Sequence, residues 1–135
     1  MNPSFLLPYP QVSDERKEAL VQWTLEVGIR FSSPELLNLS FIHKSWANEN
    51  GSFHNNERLE FLGDAILGLT ISHWLYENLP GEKEGELAKL KSFLVSEEHL
   101  SQVAKKFGLG EFLLLGKGEE NSGGRNKKAL LADAT

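Results

Sequence analysis

Three acids near the middle of the chain are spaced for a shared task. Glu57, Glu60 and Asp64 stand at i, i+3 and i+7, and at about 100° per residue they fall within roughly 60° of one another on a helix. Like charges gathered on one face repel and are costly to remove from water. A cationic side chain, a bound proton or a divalent cation would relieve them. The positive end of a helix, with Arg58 or a distant lysine as partner, accounts for Glu57 and Glu60 as well as a metal does. Asp64 shifts the balance toward a cation, because it lies in the second turn, beyond most of the dipole's reach. Asp133 is a second anomaly, an acid directly after the run Ala129-Leu130-Leu131-Ala132. Taken alone it reads as the solvated face of a helix. If the two features meet in space, oxygen donors from two helices form a hard-cation site for magnesium or manganese. Such a site can polarise a phosphodiester and activate water.

The elements that must position these acids read as helices. Ser13 caps a segment that opens Asp14-Glu15 and closes at Gly28, with early acids suited to the positive helix end. Ser33-Pro34 is a second start, a capping serine with proline at the first helical position, followed by an apolar segment from Glu35 to about Lys44. Ala47 to Ser52 reads as a loop by composition. A third helix is expected from about Asn56 to Asn78, stopped by Pro80-Gly81. Its apolar residues cover nearly the whole circumference, so it is expected to be buried on all sides. Further helices are expected from Glu84 to Leu94, from Ser96 to Gly108, and from near Asn126 to the end. Gly116 to Arg125 reads as a polar loop, and Phe112–Leu115 is the only strand candidate. Residues 1–12 form an expected extended arm, and 13–135 one domain. The fold class is all-α.

Composition narrows the function. The chain has 135 residues with 40% hydrophobic and 24% charged content, which is a globular balance for one domain. No apolar run reaches the roughly 18 residues of a membrane span. The N-terminus lacks the basic start and long apolar core of a secretory signal. The absence of cysteine excludes disulfides, thiol nucleophiles and cysteine zinc sites, and fits a reducing, cytoplasmic setting. A net charge of −5 is opposite to that of a protein holding nucleic acid by bulk positive potential. A nucleic-acid partner therefore requires bound cations or a separate basic module.

The run Asn56-Glu57-Arg58-Leu59-Glu60-Phe61-Leu62-Gly63-Asp64-Ala65 resembles the signature of the ribonuclease III family. Phe41 to Glu49 is similar to the family's segment before the signature, with Trp46 where tyrosine is usual. Lys91-Ser92, Val95 to Glu98, Leu115 to Glu120 and Leu130 to Asp133 match further segments. The resemblance implies a ribonuclease III-like helical endonuclease domain. It also implies divalent-metal-dependent hydrolysis of double-stranded RNA in ribosomal and messenger RNA processing, leaving 5′-phosphate and 3′-hydroxyl ends. By the same resemblance, Glu60, Asp64 and Asp133 are three of the four catalytic carboxylates and ligands of magnesium or manganese. The fourth, a glutamate three residues after Asp133, would fall past Thr135. With the unfinished last helix, that implies a catalytic domain cut at its C-terminus, without the double-stranded-RNA-binding domain. Glu57 and Glu84 match acids that assist cleavage. Phe61 matches the residue that plugs into the partner subunit of a homodimer; its plainer role would be packing in its own core.

Other motifs carry less. The four histidines show no metal spacing and read as caps or packing residues. Gly116-Lys117-Gly118 lacks the phosphate-loop pattern. Gly123 to Lys128 is a small basic cluster, either solvated or in contact with phosphate. Two rival functions remain. One is a non-catalytic RNA-binding or dimerisation module of the same fold. The other is an unrelated helical metal phosphohydrolase acting on nucleotides, a class that usually recruits histidine ligands.

Overall fold

The computed structural model describes residues 9–135. Most of the expected N-terminal arm, residues 1–8, lies outside this range, and residues 9–13 have no regular structure. Eight α-helices follow among the described residues: α1 Asp14–Val27, α2 Pro34–Ser40, α3 Lys44–Glu49, α4 Glu57–Asn78, α5 Glu84–Leu94, α6 Glu97–Lys106, α7 Lys117–Asn121 and α8 Lys128–Ala134. Two 3₁₀ turns, Leu109–Phe112 and Gly124–Asn126, flank α7. None of these helices is long and apolar enough to cross a membrane.

Local chemistry sets most boundaries. The Ser13, Ser33 and Ser96 hydroxyls accept from the amides of Arg16, Leu36 and His99, satisfying first-turn donors that no intrahelical carbonyl can reach. Gly28 ends α1 at φ 75°, a left-handed conformation that glycine adopts without steric cost.

Two stretches differ from expectation. The segment after Ser33 does not run on to Lys44: α2 stops at Ser40, and the chain turns through 41–43 before α3 begins. The Leu114 amide donates to the Phe41 carbonyl at 2.8 Å, and the His43 amide to the Leu114 carbonyl at 3.1 Å. The strand candidate therefore amounts to one parallel bridge, Ile42 to Leu114. The His43 ring then accepts from the Ser45 amide at 3.2 Å, so Ala47 to Glu49 is helix rather than loop. Likewise, the expected loop from Gly116 holds α7. Gly116 is needed there for close approach, since a Cβ would lie 2.7 Å from the Ser45 carbonyl and 2.7 Å from a Glu49 carboxylate oxygen.

The main core gathers Leu20, Trp23, Leu37, Phe41, Ala104 and Leu131. Trp23, Phe41 and Phe112 form an aromatic triad with ring centroids 5.6–5.8 Å apart, a spacing that favours tilted and edge contacts. Arg16 and Arg125 tie down the neighbouring turn. Arg16 donates to the Phe112 carbonyl at 2.5 Å, and Arg125 to the carbonyls of Gly110 at 2.6 Å and Leu113 at 2.9 Å.

The long helix α4 overturns the expectation of all-round burial. Leu75 alone on it is fully buried, while Phe61 is 82% exposed, Leu62 54%, Ile66 56%, Leu69 72% and Tyr76 75%. At about 100° per residue these form one band roughly 140° wide, while Trp74, 54% exposed, lies outside it. The opposite side of α4 packs on α5 and faces α8.

Candidate active site

The acid row of α4 opens into a cleft of about 320 Å³ between α4, α6 and α8. Its walls include Glu60 and Asp64 from α4, Glu97 from α6 and Asp133 from α8. Glu60 is placed by the helix start: its amide donates 2.9 Å to the Asn56 carbonyl. Asn56 is 4% exposed; its side chain does not cap α4 but donates to the Ser40 carbonyl at 3.0 Å. Its amide donates to the Ile42 carbonyl at 2.8 Å. The first turn of α4 is thus pinned to the end of α2.

Asp133 is placed by packing. Leu131 and Ala134 on α8 are 2% and 7% exposed in the main core, which leaves the adjacent Asp133 at the mouth of the cleft. Salt bridges hold the start of the helix: Lys127 reaches Glu119 at 2.5 Å, and Lys128 pairs with Glu98. Arg125 pairs with Glu120 at 2.5 Å. The basic cluster before α8 is therefore spent on internal pairs, which accounts for it without phosphate contact.

Glu60 and Asp133, from helices far apart in sequence, line the same cleft close enough for each to act on the other's carboxyl. Partial burial, then the charges of Asp133 and Asp64, push the Glu60 carboxyl above the usual carboxylate range. Partial burial also raises Asp133, against the hydrogen bond from Glu60. Among the described residues no lysine or arginine forms an ion pair with Glu60, Asp64 or Asp133. Glu57 differs: Lys44 pairs with it at 3.3 Å, so ordinary ion pairing accounts for that member of the row.

Two other candidates stand elsewhere. Glu84 opens α5 and does not line the cleft. The α5 lysine Lys91 packs over Gly68, so Glu84 lies on the order of 20 Å from Glu60 along the helix axes. Phe61 points out of its own core, which removes intrachain packing as its role. Two histidines behave as a cap and a packing residue, since His43 caps α3 and the His99 ring lies 5.1 Å from Phe93; His73 is instead exposed beside Glu77 at 3.4 Å. In the sequence nothing separates Glu97 from Glu98, since both are acids in the first turn of α6, where the helix dipole favours them.

Among the described residues no three acidic or histidine side chains converge into a ready-made metal cage. Magnesium does not need one; it takes one or two carboxylates and keeps several waters. The mutually repelling, unneutralised oxygens of Glu60 and Asp133, with Asp64 one turn along α4, fit that requirement.

Comparison with known proteins gives the chain a family and a fold relative. Residues 33–135 match the family model described as Ribonuclease-III-like. The chain is 50% identical over 121 residues to the Ribonuclease 3 of Treponema denticola, covering 89% of this chain and 49% of that protein. It is 48% identical over 122 residues to the Ribonuclease 3 of Borreliella burgdorferi, covering 90% and 50%. The chain thus spans about half the length of the curated relatives it matches. The solved nuclease domain of Ribonuclase III from Campylobacter jejuni superposes with a TM-score of 0.77 at 37% identity, covering 84% of this chain and 76% of that one.

Proposed function

Because the chain belongs to the ribonuclease-III-like family, we propose that it is the nuclease domain of an endoribonuclease. The reaction is divalent-metal-dependent hydrolysis of double-stranded RNA, leaving 5′-phosphate and 3′-hydroxyl ends, in the processing of ribosomal and messenger RNA. The observation that carries this reading is the meeting of Glu60 and Asp133 in one cleft, with no basic side chain to neutralise them. The alternative of a non-catalytic module leaves that costly juxtaposition without a purpose.

In this reading Glu60 and Asp133 hold a magnesium or manganese ion. When bound, that ion neutralises phosphate charge, polarises the scissile phosphodiester and lowers the pKa of water. Asp64, on the same face one turn along, accepts a hydrogen bond from the attacking water and orients it. Glu57, held by Lys44, lines the neighbouring pocket rather than this cleft and tunes from there the field felt by an incoming phosphate. Glu84 would assist from outside this cleft. An acidic protein can then bind RNA, because its negative cleft attracts phosphate only once cations fill it. Selection of duplex RNA would rest on A-form shape and 2′-hydroxyl contacts, since side chains cannot read its deep groove.

The exposed band on α4 is the proposed interface of a homodimer, with Phe61, its most exposed large apolar residue, at one edge. The Campylobacter jejuni nuclease domain is described as flexible in a region involved in dimer formation, which supports an interface in this fold. The site of action is proposed to be the cytoplasm.

The test is cleavage of a duplex RNA by the chain prolonged past Thr135 with the remainder of a relative's sequence. Cutting in magnesium, none in chelator and none of the separate strands is the expected result. Binding without cutting would favour the non-catalytic module, and hydrolysis of free nucleotides would favour the phosphohydrolase.

A further inference from the structure

The two glutamates that open α6 are neighbours in sequence with different surroundings. Glu98 is held by Lys128 and by Gln102, whose amide donates at 3.1 Å. Glu97 forms no ion pair among the described residues. It lines the cleft that holds Glu60, Asp64 and Asp133, and its charge is felt at Asp133. Lys128 feels Glu97 as well, but gives its hydrogen bond to Glu98. The dipole of α6 favours an acid in this turn, yet it would be satisfied equally by one facing solvent. Here a fourth carboxylate lines a cleft already crowded with three.

We propose that Glu97 is a further cation-holding residue of this site, acting from the wall opposite α4 on the hydration shell of the ion held by Glu60 and Asp133. This rests on the proposed metal-dependent reading. Its role is through water because no third acid converges on the pair, and magnesium retains waters whose hydrogens need acceptors. Groups that accept from such waters tune metal affinity by roughly 10–100-fold without touching the ion.

The measurement is Mn²⁺ affinity of the 135-residue chain, read from the free-ion electron paramagnetic resonance signal, with no RNA and no turnover. Glu97→Gln is compared with Glu60→Gln and with Glu111→Gln. Glu111 is an exposed acid outside the cleft, and its substitution makes the same change in net charge. Glu97→Gln is expected to weaken binding about tenfold, Glu60→Gln to weaken it more, and Glu111→Gln to leave it within about twofold, all with unchanged far-ultraviolet circular dichroism. Wild-type-like binding by Glu97→Gln beside a weakened Glu60→Gln overturns this proposal and leaves the metal reading standing. Equal losses in Glu97→Gln and Glu111→Gln also overturn it, since net charge then explains both. A wild-type chain that takes up no Mn²⁺ at millimolar concentration overturns the metal reading itself, and Glu97's role with it.

Discussion

Replacing Phe61 with alanine should separate association from folding. The ring is 82% exposed, so truncating it removes little from the chain's own core. Fully burying a phenylalanine is worth about 1.5–3 kcal/mol, and some four-fifths of that, about 1–2.5 kcal/mol, remains available to a partner. A two-fold interface uses each ring once per subunit, so a dimer would lose about 2–5 kcal/mol. At about 1.4 kcal/mol per tenfold, the dissociation constant should rise between about 30-fold and a few thousand-fold. Sedimentation velocity across a concentration series reads this directly, while circular dichroism and the urea midpoint should barely move. A variant that associates like wild type refutes the interface. A variant that loses helicity instead would show that Phe61 supports its own chain.

Asp64→Asn should keep helicity and association and lose cleavage of duplex RNA, because an amide cannot accept from the attacking water and hold negative charge together; retained turnover in a gel assay removes Asp64 from the mechanism. Glu60, raised by burial and by Asp133 and Asp64, binds more protons folded than unfolded. In chelator, stability should therefore fall as pH rises from the ordinary glutamate range through the raised folded value. Glu60→Gln should accordingly melt higher than wild type at neutral pH in chelator, and a lower melting temperature would contradict the repulsion argument. Gly124→Ala should lower the urea midpoint by the equivalent of about 1–3 kcal/mol, since its Cβ would lie 2.7 Å from the Glu119 carbonyl and 2.6 Å from that residue's side chain; an unchanged midpoint would mean that the turn yields freely.

Much of the secondary structure was legible because its signals are local. A capping serine satisfies amides two or three residues away, and a glycine ends a helix by its own backbone freedom, so α1 and α6 lie close to where their residues predict them. The segment from Glu35 to Lys44 was misread because the partner that breaks it, Leu114, is remote in sequence. The α4 acid row was legible for a related reason, since helix geometry alone brings Glu57, Glu60 and Asp64 to one face.

What the residues could not say by themselves is which neighbour each group would meet. An apolar helix face is the same sequence whether a core, a partner or water lies against it, so the open band around Phe61 emerged only with the packing of the whole chain. Asp133 reads as solvated until buried Leu131 and Ala134 carry it beside Glu60. Glu97 and Glu98 are indistinguishable as letters, and the seating of α8 alone sends one to a lysine and the other to the cleft. Covalent spacing determines contacts within a helix; contacts between helices depend on side-chain shapes summed over the whole core, which no short window of sequence contains.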